Sequence, residues 1–472
     1  MADTIFDVAI IGSGPAGYTA AIRAGQLGLK TALIEKSDKL GGTCLHVGCI
    51  PTKALLYNAE LYDHIKDGKE FGIEGLEGAK LNWSAIQDRK NKIIAKHAKG
   101  LEFLMKKNKV AVIRGWGKLN GPAQNGVHTV AVDNDGKKEQ VKAKNLLLAF
   151  GSSARMLPGL QPGERVLTNI EILSLNDIPK SLIIVGSGAV GVEFASIYKS
   201  FGSEVTILEM LPRLVPIEDE EVSKELARVY RKRGINFHVN TKVEKVDVAK
   251  SGVSVTISAD GKTQKLEAEK ILIAVGRAPR TEGVGLESVP NIKVERGFIH
   301  TDQSFRTGEP NVYAIGDIVA GYPQLAHAGG IEGIAAVTHI AGKPIKPVKK
   351  ELIPGATYCH PEIGSVGLTE AKARELGRDV KVGKFPFTAN SRASIYGQHE
   401  GFIKVVSDAK YGEILGVHII GPQATELIME AVAALNLEAT VEDLMWSIHA
   451  HPTLAEAMGD AVASVYGMAI NA

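Results

Sequence analysis

The run Phe6-Asp7-Val8-Ala9-Ile10-Ile11 is almost continuously apolar, the pattern of a strand buried on both faces. It ends at Gly12-Ser13-Gly14-Pro15-Ala16-Gly17, and an Ala-rich stretch with helical spacing follows through Leu27. A second apolar run, Thr31-Ala32-Leu33-Ile34, stops at Glu35. The pattern predicts strand, tight turn, helix, strand. The same order returns later in the chain. Ser181-Leu182-Ile183-Ile184-Val185 leads into Gly186-Ser187-Gly188-Ala189-Val190-Gly191, and Val205-Thr206-Ile207-Leu208 ends at Glu209. Glu35 stands 23 residues after Gly12, and Glu209 stands 23 after Gly186.

In each copy the three glycines have separable tasks. The first makes the turn, the second lets backbone approach a pyrophosphate, and the third lets the helix pack closely. The helix N-terminus adds partial positive charge, and the terminal Glu can accept ribose hydroxyls. One such glycine run also occurs in ordinary turns; two in full context at identical spacing predict two dinucleotide sites. At the second site Glu209 favours NAD over NADP, because a carboxylate repels a 2′-phosphate. Lys270-Ile271-Leu272-Ile273-Ala274-Val275-Gly276-Arg277 reads as the close of the second unit. Asn311-Val312-Tyr313-Ala314-Ile315-Gly316-Asp317 reads as a return to the first, so the second unit is expected to be inserted in it.

Length and composition narrow the setting. With 472 residues, two to four domains are expected, and a hydrophobic share of 44% excludes a mainly disordered chain. A net charge of +2 gives no reason to expect nucleic acid or a membrane surface as partner. Asp3 and Asp7 stand where a leader would carry basic residues, and no run approaches the roughly 18 apolar residues of a membrane span. A cytoplasmic protein is expected.

Only three cysteines are present, and two, Cys44 and Cys49, sit in the glycine-bracketed turn Gly41-Gly42-Thr43-Cys44-Leu45-His46-Val47-Gly48-Cys49. Thiols this close can cycle between dithiol and disulfide, carrying the two electrons that a hydride also carries. A zinc site would need two further ligands at similar spacing, and none is near, so no metal is expected. Ile50-Pro51-Thr52-Lys53 reads as the first turn of a helix starting at Cys49, a position that lowers a thiol pKa. Lys53 follows by one turn; alone it would read as a solvated helix lysine. A redox pair beside the first fingerprint suggests that one dinucleotide is a flavin, able to exchange electrons with thiolate and nicotinamide. Near the C-terminus His451, in His449-Ala450-His451-Pro452-Thr453-Leu454-Ala455-Glu456, is the candidate acid–base, since imidazole titrates near roughly 6.5. Glu456 would orient it, and His449 is the weaker alternative. Cys359 reads as an ordinary buried thiol, beyond a Lys/Pro-rich linker over 342–350.

The cysteine run, both fingerprints, Ala314-Ile315-Gly316-Asp317 and the His449–Glu456 run occur in the order of the flavoprotein pyridine-nucleotide disulfide oxidoreductases, which the chain resembles over essentially its full length. Within that family it looks most like the branch that oxidises dihydrolipoyl groups with NAD. The resemblance implies an α/β fold with two Rossmann-like domains, the NAD domain inserted in the FAD domain, and a C-terminal α+β interface domain. The corresponding ranges are 1–150 and 278–347 (FAD and central), 151–277 (NAD) and 348–472 (interface, in a homodimer). It assigns Cys49 to the flavin and Cys44 to substrate, pairs Lys53 with Glu193, and places His451 in the partner subunit. FAD contacts are expected from Gly12, Gly14, Pro15, Ala16, Gly17, Glu35, Lys36, Gly42, Thr43, Lys53, Gly117, Ala149, Gly151, Gly316, Asp317, Leu325, Ala326 and His327. NAD contacts are expected from Gly186, Gly188, Ala189, Val190, Gly191, Glu193, Glu209, Val243, Val275 and Gly276. The implied partners are a lipoyl-bearing acyltransferase of a 2-oxo acid dehydrogenase complex or a glycine-cleavage carrier. A glutathione or mercuric reductase, or a non-catalytic flavoprotein subunit, stays as the alternative. Phe150, Ser13 and His46 stand where the family usually carries Thr, Gly and Asn.

Overall fold

A computed structural model of the chain describes residues 4–259 and 261–471; Asp3 lies outside them. The chain forms two compact units.

The first unit comprises Met1–Ala54, Ser84–Arg155 and Arg277–Lys350. Its sheet is built on β1 (Ile5–Ile11), which is followed by α1 (Pro15–Gln26), β2 (Thr31–Glu35), α2 (Gly42–Val47), α3 (Cys49–Lys66) and α4 (Trp83–Lys107). Then come β3 (Ala111–Arg114), β4 (Trp116–Leu119), β5 (His128–Asn134), β6 (Lys137–Leu148) and the short β7 (Ser152–Ala154). The strand order is β3-β2-β1-β6-β5-β4. β1 lies between β2 and β6, parallel to both, which is why its apolar run is nearly unbroken. β4 and β5 extend the sheet antiparallel. The strand Val312–Ala314 returns parallel to β6, with Val312 opposite Leu146, after the chain has built a second sheet elsewhere. One core fills this unit, from Val8 and Ile10 to Phe305 and Val337.

The second unit comprises Leu55–Trp83, Met156–Gly276 and Glu351–Ala472. It contains a parallel sheet of β8 (Val166–Leu167), β9 (Ser181–Val185), β10 (Glu204–Leu208), β11 (Asn236–His238) and the strand Lys270–Ile273, in the order β11-β10-β9-(Lys270–Ile273)-β8. Helix α5 (Ala189–Ser200) connects β9 to β10 as α1 connects β1 to β2. A meander of Lys242–Ala249, Gly252–Ala259 and Lys262–Ala268 covers part of its core. Beyond residue 351 the chain switches to a five-stranded antiparallel sheet packed by helices Ala424–Asn436 and Glu456–Ser464. Among the described residues no helix is long and apolar enough to cross a membrane.

Candidate functional site

The two glycine turns are nearly superimposable in their local chemistry. Gly12 has φ +107°, and a Cβ there would stand 2.2 Å from the Ala149 carbonyl oxygen; Gly186 has φ +101°, with the Ala274 oxygen at 2.4 Å. An alanine fits neither position. Gly12→Ala is therefore expected to destabilise the first unit by about 3 kcal/mol or more, read as a lowered thermal midpoint. Gly14 and Gly188 differ: a Cβ at either would meet nothing within 4 Å, so space lies open in front of the backbone. They cap α1 and α5, whose N-termini carry no side-chain cap and no acidic residue in the first turn. Both helix ends thus leave N–H groups for an anionic group, the requirement of a pyrophosphate. Pro15, Ala16 and Gly17, and Ala189, Val190 and Gly191, form the first turns of these helices.

Ser13 explains itself by this comparison. Its N–H and hydroxyl donate to Glu35 Oε2 at 2.9 and 2.7 Å, and Ser187 donates to Glu209 Oε2 at 2.8 and 2.7 Å. The N–H groups of Ser37 and Leu211 donate to the other oxygens. Each carboxylate is oriented at the end of its strand and keeps lone pairs for ribose hydroxyls.

In the first unit, Gly12, Gly14, Glu35, Lys36, Gly42, Thr43, Gly117, Ala149 and Gly151 line one cleft at the ends of β1 and β2. Its place outside the carboxyl ends of parallel strands is the usual ligand position in such sheets. Phe150 lines the same cleft and packs on the core. Sequence reasoning missed Trp116, stacked under the Lys36 ammonium at 4.5 Å, and Arg280. Gly316 and Asp317 form a single turn packed on α1: a Cβ at Gly316 would lie 3.1 Å from the Ala16 Cβ. The Ser152 hydroxyl donates to Asp317, and Arg277 Nε lies 3.8 Å from the same carboxylate. Leu325 caps the helix Ala326–Ile340, so Ala326 and His327 open its first turn. One turn further, fully buried Glu332 accepts the Gly316 N–H at 2.6 Å while its other oxygen has no partner. Burial, with the nearby Asp317 charge, pushes its carboxyl up to about 7. No pattern in the sequence marks Glu332.

The cysteine run is helical rather than an open turn. Cys44 sits in α2, Cys49 is the first residue of α3, and only Gly48 separates the helices. A Cβ at Gly48 would stand 2.9 Å from the Thr43 oxygen and 3.2 Å from Cys44 Cα, so glycine allows the two helix ends to close on each other. His46 Nε2 bonds the Leu40 carbonyl at 2.8 Å, which gives that side chain a structural place. The pair is in the dithiol form. The Cys44 thiol donates its proton to Cys49, and that bond, followed by burial and the Cys49 charge, holds Cys44 far above the ordinary thiol range; the Lys53 charge opposes this. The two sulfurs are inequivalent in place: Cys49 opens α3, where a helix N-terminus favours a thiolate, and Cys44 lies within α2. Burial pushes the hydroxyl of Tyr18, on α1, above its ordinary range, and negative charge on either sulfur would add to the effect.

In the second unit, Glu209 follows β10 directly, Val275 and Gly276 follow the strand Lys270–Ile273, and Val243 packs on the unit's core. Glu193, on α5, is buried and accepts the Tyr358 N–H at 3.0 Å. Lys53 belongs to the first unit and Glu193 to the second. Buried Cys359 donates to the Pro361 oxygen, and burial pushes its thiol up, which suits an inert role. His451 Nδ1 meets Glu456 Oε1 at 2.8 Å, and Glu456 Oε2 accepts the Thr453 N–H at 2.7 Å. Burial works against the Glu456 charge, but these two contacts outweigh it and hold the carboxyl below its usual range. The imidazole is 72% exposed, oriented from behind and open in front.

The family model for pyridine nucleotide-disulphide oxidoreductases matches residues 6–333, and that for the dimerisation domain of the same family matches 353–462. The chain is 45% identical to the dihydrolipoyl dehydrogenase of Bacillus subtilis over 99% of both chains. It is 40% identical to the mitochondrial dihydrolipoyl dehydrogenase of Pisum sativum, over 98% of this chain and 92% of that one. Among solved structures, LpdA from Mycobacterium tuberculosis matches with a TM-score of 0.89 at 28% identity, covering 96% of this chain and 98% of that one. The HOCl-induced flavoprotein disulfide reductase RclA of Escherichia coli matches with a TM-score of 0.85 at 27% identity, covering 97% and 99%. With both family models and relatives that match from end to end, the chain belongs to the pyridine nucleotide-disulphide oxidoreductase family.

Proposed function

We propose that the chain is a dihydrolipoyl dehydrogenase, oxidising protein-bound dihydrolipoyl groups at the expense of NAD⁺. The observation that carries this reading is the placing of Cys44 and Cys49 on two helix ends separated only by Gly48, with Cys49 at the N-terminus of α3. It is joined by full-length likeness to proteins named dihydrolipoyl dehydrogenase.

The oxidised enzyme would meet substrate as a Cys44–Cys49 disulfide. A dihydrolipoyl thiolate attacks the Cys44 sulfur, forming a mixed disulfide and releasing Cys49 as thiolate. The second substrate thiol then closes the lipoyl disulfide and expels Cys44, and His451, oriented by Glu456, takes up the thiol proton. Substrate loses two electrons and two protons; the cysteine pair gains the electrons. Bound FAD supplies the two-electron link between thiolate and nicotinamide, leaving NADH and a proton as products. The open backbone at Gly14, the oriented Glu35 and the Trp116-lined cleft fit FAD; Gly188 with Glu209 fits NAD. Lys53 and Glu193 complete the proposed catalytic set.

We read the chain as FAD and central segments 1–150 and 278–347, an NAD segment 151–277 and an interface segment 348–472. The dimerisation domain makes the protein a homodimer. In the proposed arrangement the His451–Glu456 pair of one subunit serves the cysteines of the other. Substrate would be a lipoyl group on an acyltransferase component or glycine-cleavage carrier, in the cytoplasm.

Turnover of purified holoenzyme should separate the readings. Reduction of NAD⁺ by dihydrolipoamide is expected, with NADP⁺ at least about tenfold poorer because the Glu209 carboxylate would repel a 2′-phosphate. Activity with NADPH and glutathione at a comparable rate, and none with dihydrolipoamide, would overturn the assignment.

A further inference from the structure

The loop that carries His451 holds a second imidazole–carboxylate pair. His449 Nε2 lies 2.8 Å from Glu430 Oε1, which projects from the helix Ala424–Asn436. The His449 side chain is only 13% exposed. Its ring lies against the helix Glu456–Ser464: a Cβ at Gly459 would stand 3.2 Å from His449 Nδ1. Gly459 is one turn beyond Glu456 on that helix, so the position where a larger side chain would press on the His449 ring is next to the residue that orients His451. The charges agree with the packing. Glu430 holds the His449 imidazole above its ordinary range, helped by the Ser447 backbone and the Glu456 charge and opposed by burial. The His449 charge in turn adds to the contacts that keep Glu456 ionised.

We propose that Glu430 and His449 are positioning residues for the His451–Glu456 pair, pinning the loop to the helix Ala424–Asn436 and seating the His449 ring against the helix that presents Glu456. Neither touches substrate in this scheme. The proposal rests on His451 being the base of the dihydrolipoyl reaction.

The test uses holoenzyme carrying H449Q, E430Q or both, assayed for dihydrolipoamide-dependent NAD⁺ reduction across the imidazole titration range. A second assay on the same samples follows NADH oxidation by a one-electron dye, which needs both dinucleotide sites but no thiol proton transfer. Each single variant should lose about tenfold in kcat with dihydrolipoamide, a small part of what acid–base catalysis supplies, and the double should lose no more than the worse single. In H449Q the acid limb should also move to higher pH, because two carboxylates then face the loop unopposed and favour a protonated His451. Dye reduction should stay at the wild-type rate. A wild-type profile in H449Q, or parallel loss in both assays, overturns the proposal. Should these variants fail to fold, G459A crowds the ring without removing its charge and should lower kcat with the acid limb in place; unchanged kcat would count against the proposal. Wild-type enzyme that reduces dye but never turns over dihydrolipoamide would instead refute the functional reading.

Discussion

Replacing Cys44 by serine is expected to abolish dihydrolipoamide-dependent NAD⁺ reduction, a loss of at least about 10⁴-fold, because a hydroxyl cannot form the mixed disulfide. The exchange is nearly isosteric, and α2 needs no sulfur for its own hydrogen bonds, so the fold and the flavin should be retained. The variant also separates the roles of the two sulfurs. With a hydroxyl in place of the Cys44 thiol, Cys49 remains at the N-terminus of α3, where the helix end and a lysine one turn on would favour a thiolate. A long-wavelength thiolate–flavin absorption should then be present without any reductant in Cys44→Ser and be missing in Cys49→Ser. If the band were instead missing in Cys44→Ser and present in Cys49→Ser, the assignment of Cys49 to the flavin would be reversed. Lipoamide turnover at the wild-type rate in Cys44→Ser would remove the disulfide relay altogether.

His451→Gln is expected to lower kcat with dihydrolipoamide by about 10² to 10⁴, the range that a positioned acid–base supplies. The amide can still accept or donate a hydrogen bond toward Glu456, so the loop should keep its place while the proton acceptor is lost. The pH profile gives the sharper reading. In the wild type, turnover should fall as pH drops and a protonated imidazole can no longer accept the thiol proton. In the variant that acid limb should vanish, leaving a low rate that rises with pH as substrate thiols ionise. Glu456→Gln should give a smaller loss, because the Thr453 N–H can still hold the amide oxygen and only the charge behind the imidazole is removed. A His451→Gln enzyme with the wild-type acid limb would place the base elsewhere.

Much of the dinucleotide architecture was legible because it is local. Each fingerprint occupies about 25 consecutive residues, and its glycines answer to contacts made within the turn or with one neighbouring strand. The apolar runs predicted β1, β2, β9 and β10, and the return strand over Val312–Ala314, because a strand buried on both faces leaves an unbroken signature. The helix at Cys49 was predicted from Pro51 and the apolar residues after it. The helix around Cys44 was not, since six residues bounded by glycines carry too little periodicity to tell helix from turn.

What the sequence by itself determined was the chemistry in hand: two redox thiols, two phosphate-binding turns with their acidic partners, and an imidazole followed by a carboxylate. Only the tertiary structure decided what surrounds and holds these groups. Ser13 became the orienting donor to Glu35 only when both copies could be laid side by side. Asp317 met Ser152 and Arg277 across long stretches of chain, and Glu332 was driven toward neutrality by a core assembled from distant segments. Contact with Cys49 and burial raised the Cys44 thiol, and His449 found Glu430, by the same kind of cause. Desolvation and Coulomb interactions depend on separation in space, which no periodicity records; covalent identity and local backbone geometry depend on neighbours along the chain, which the sequence spells out.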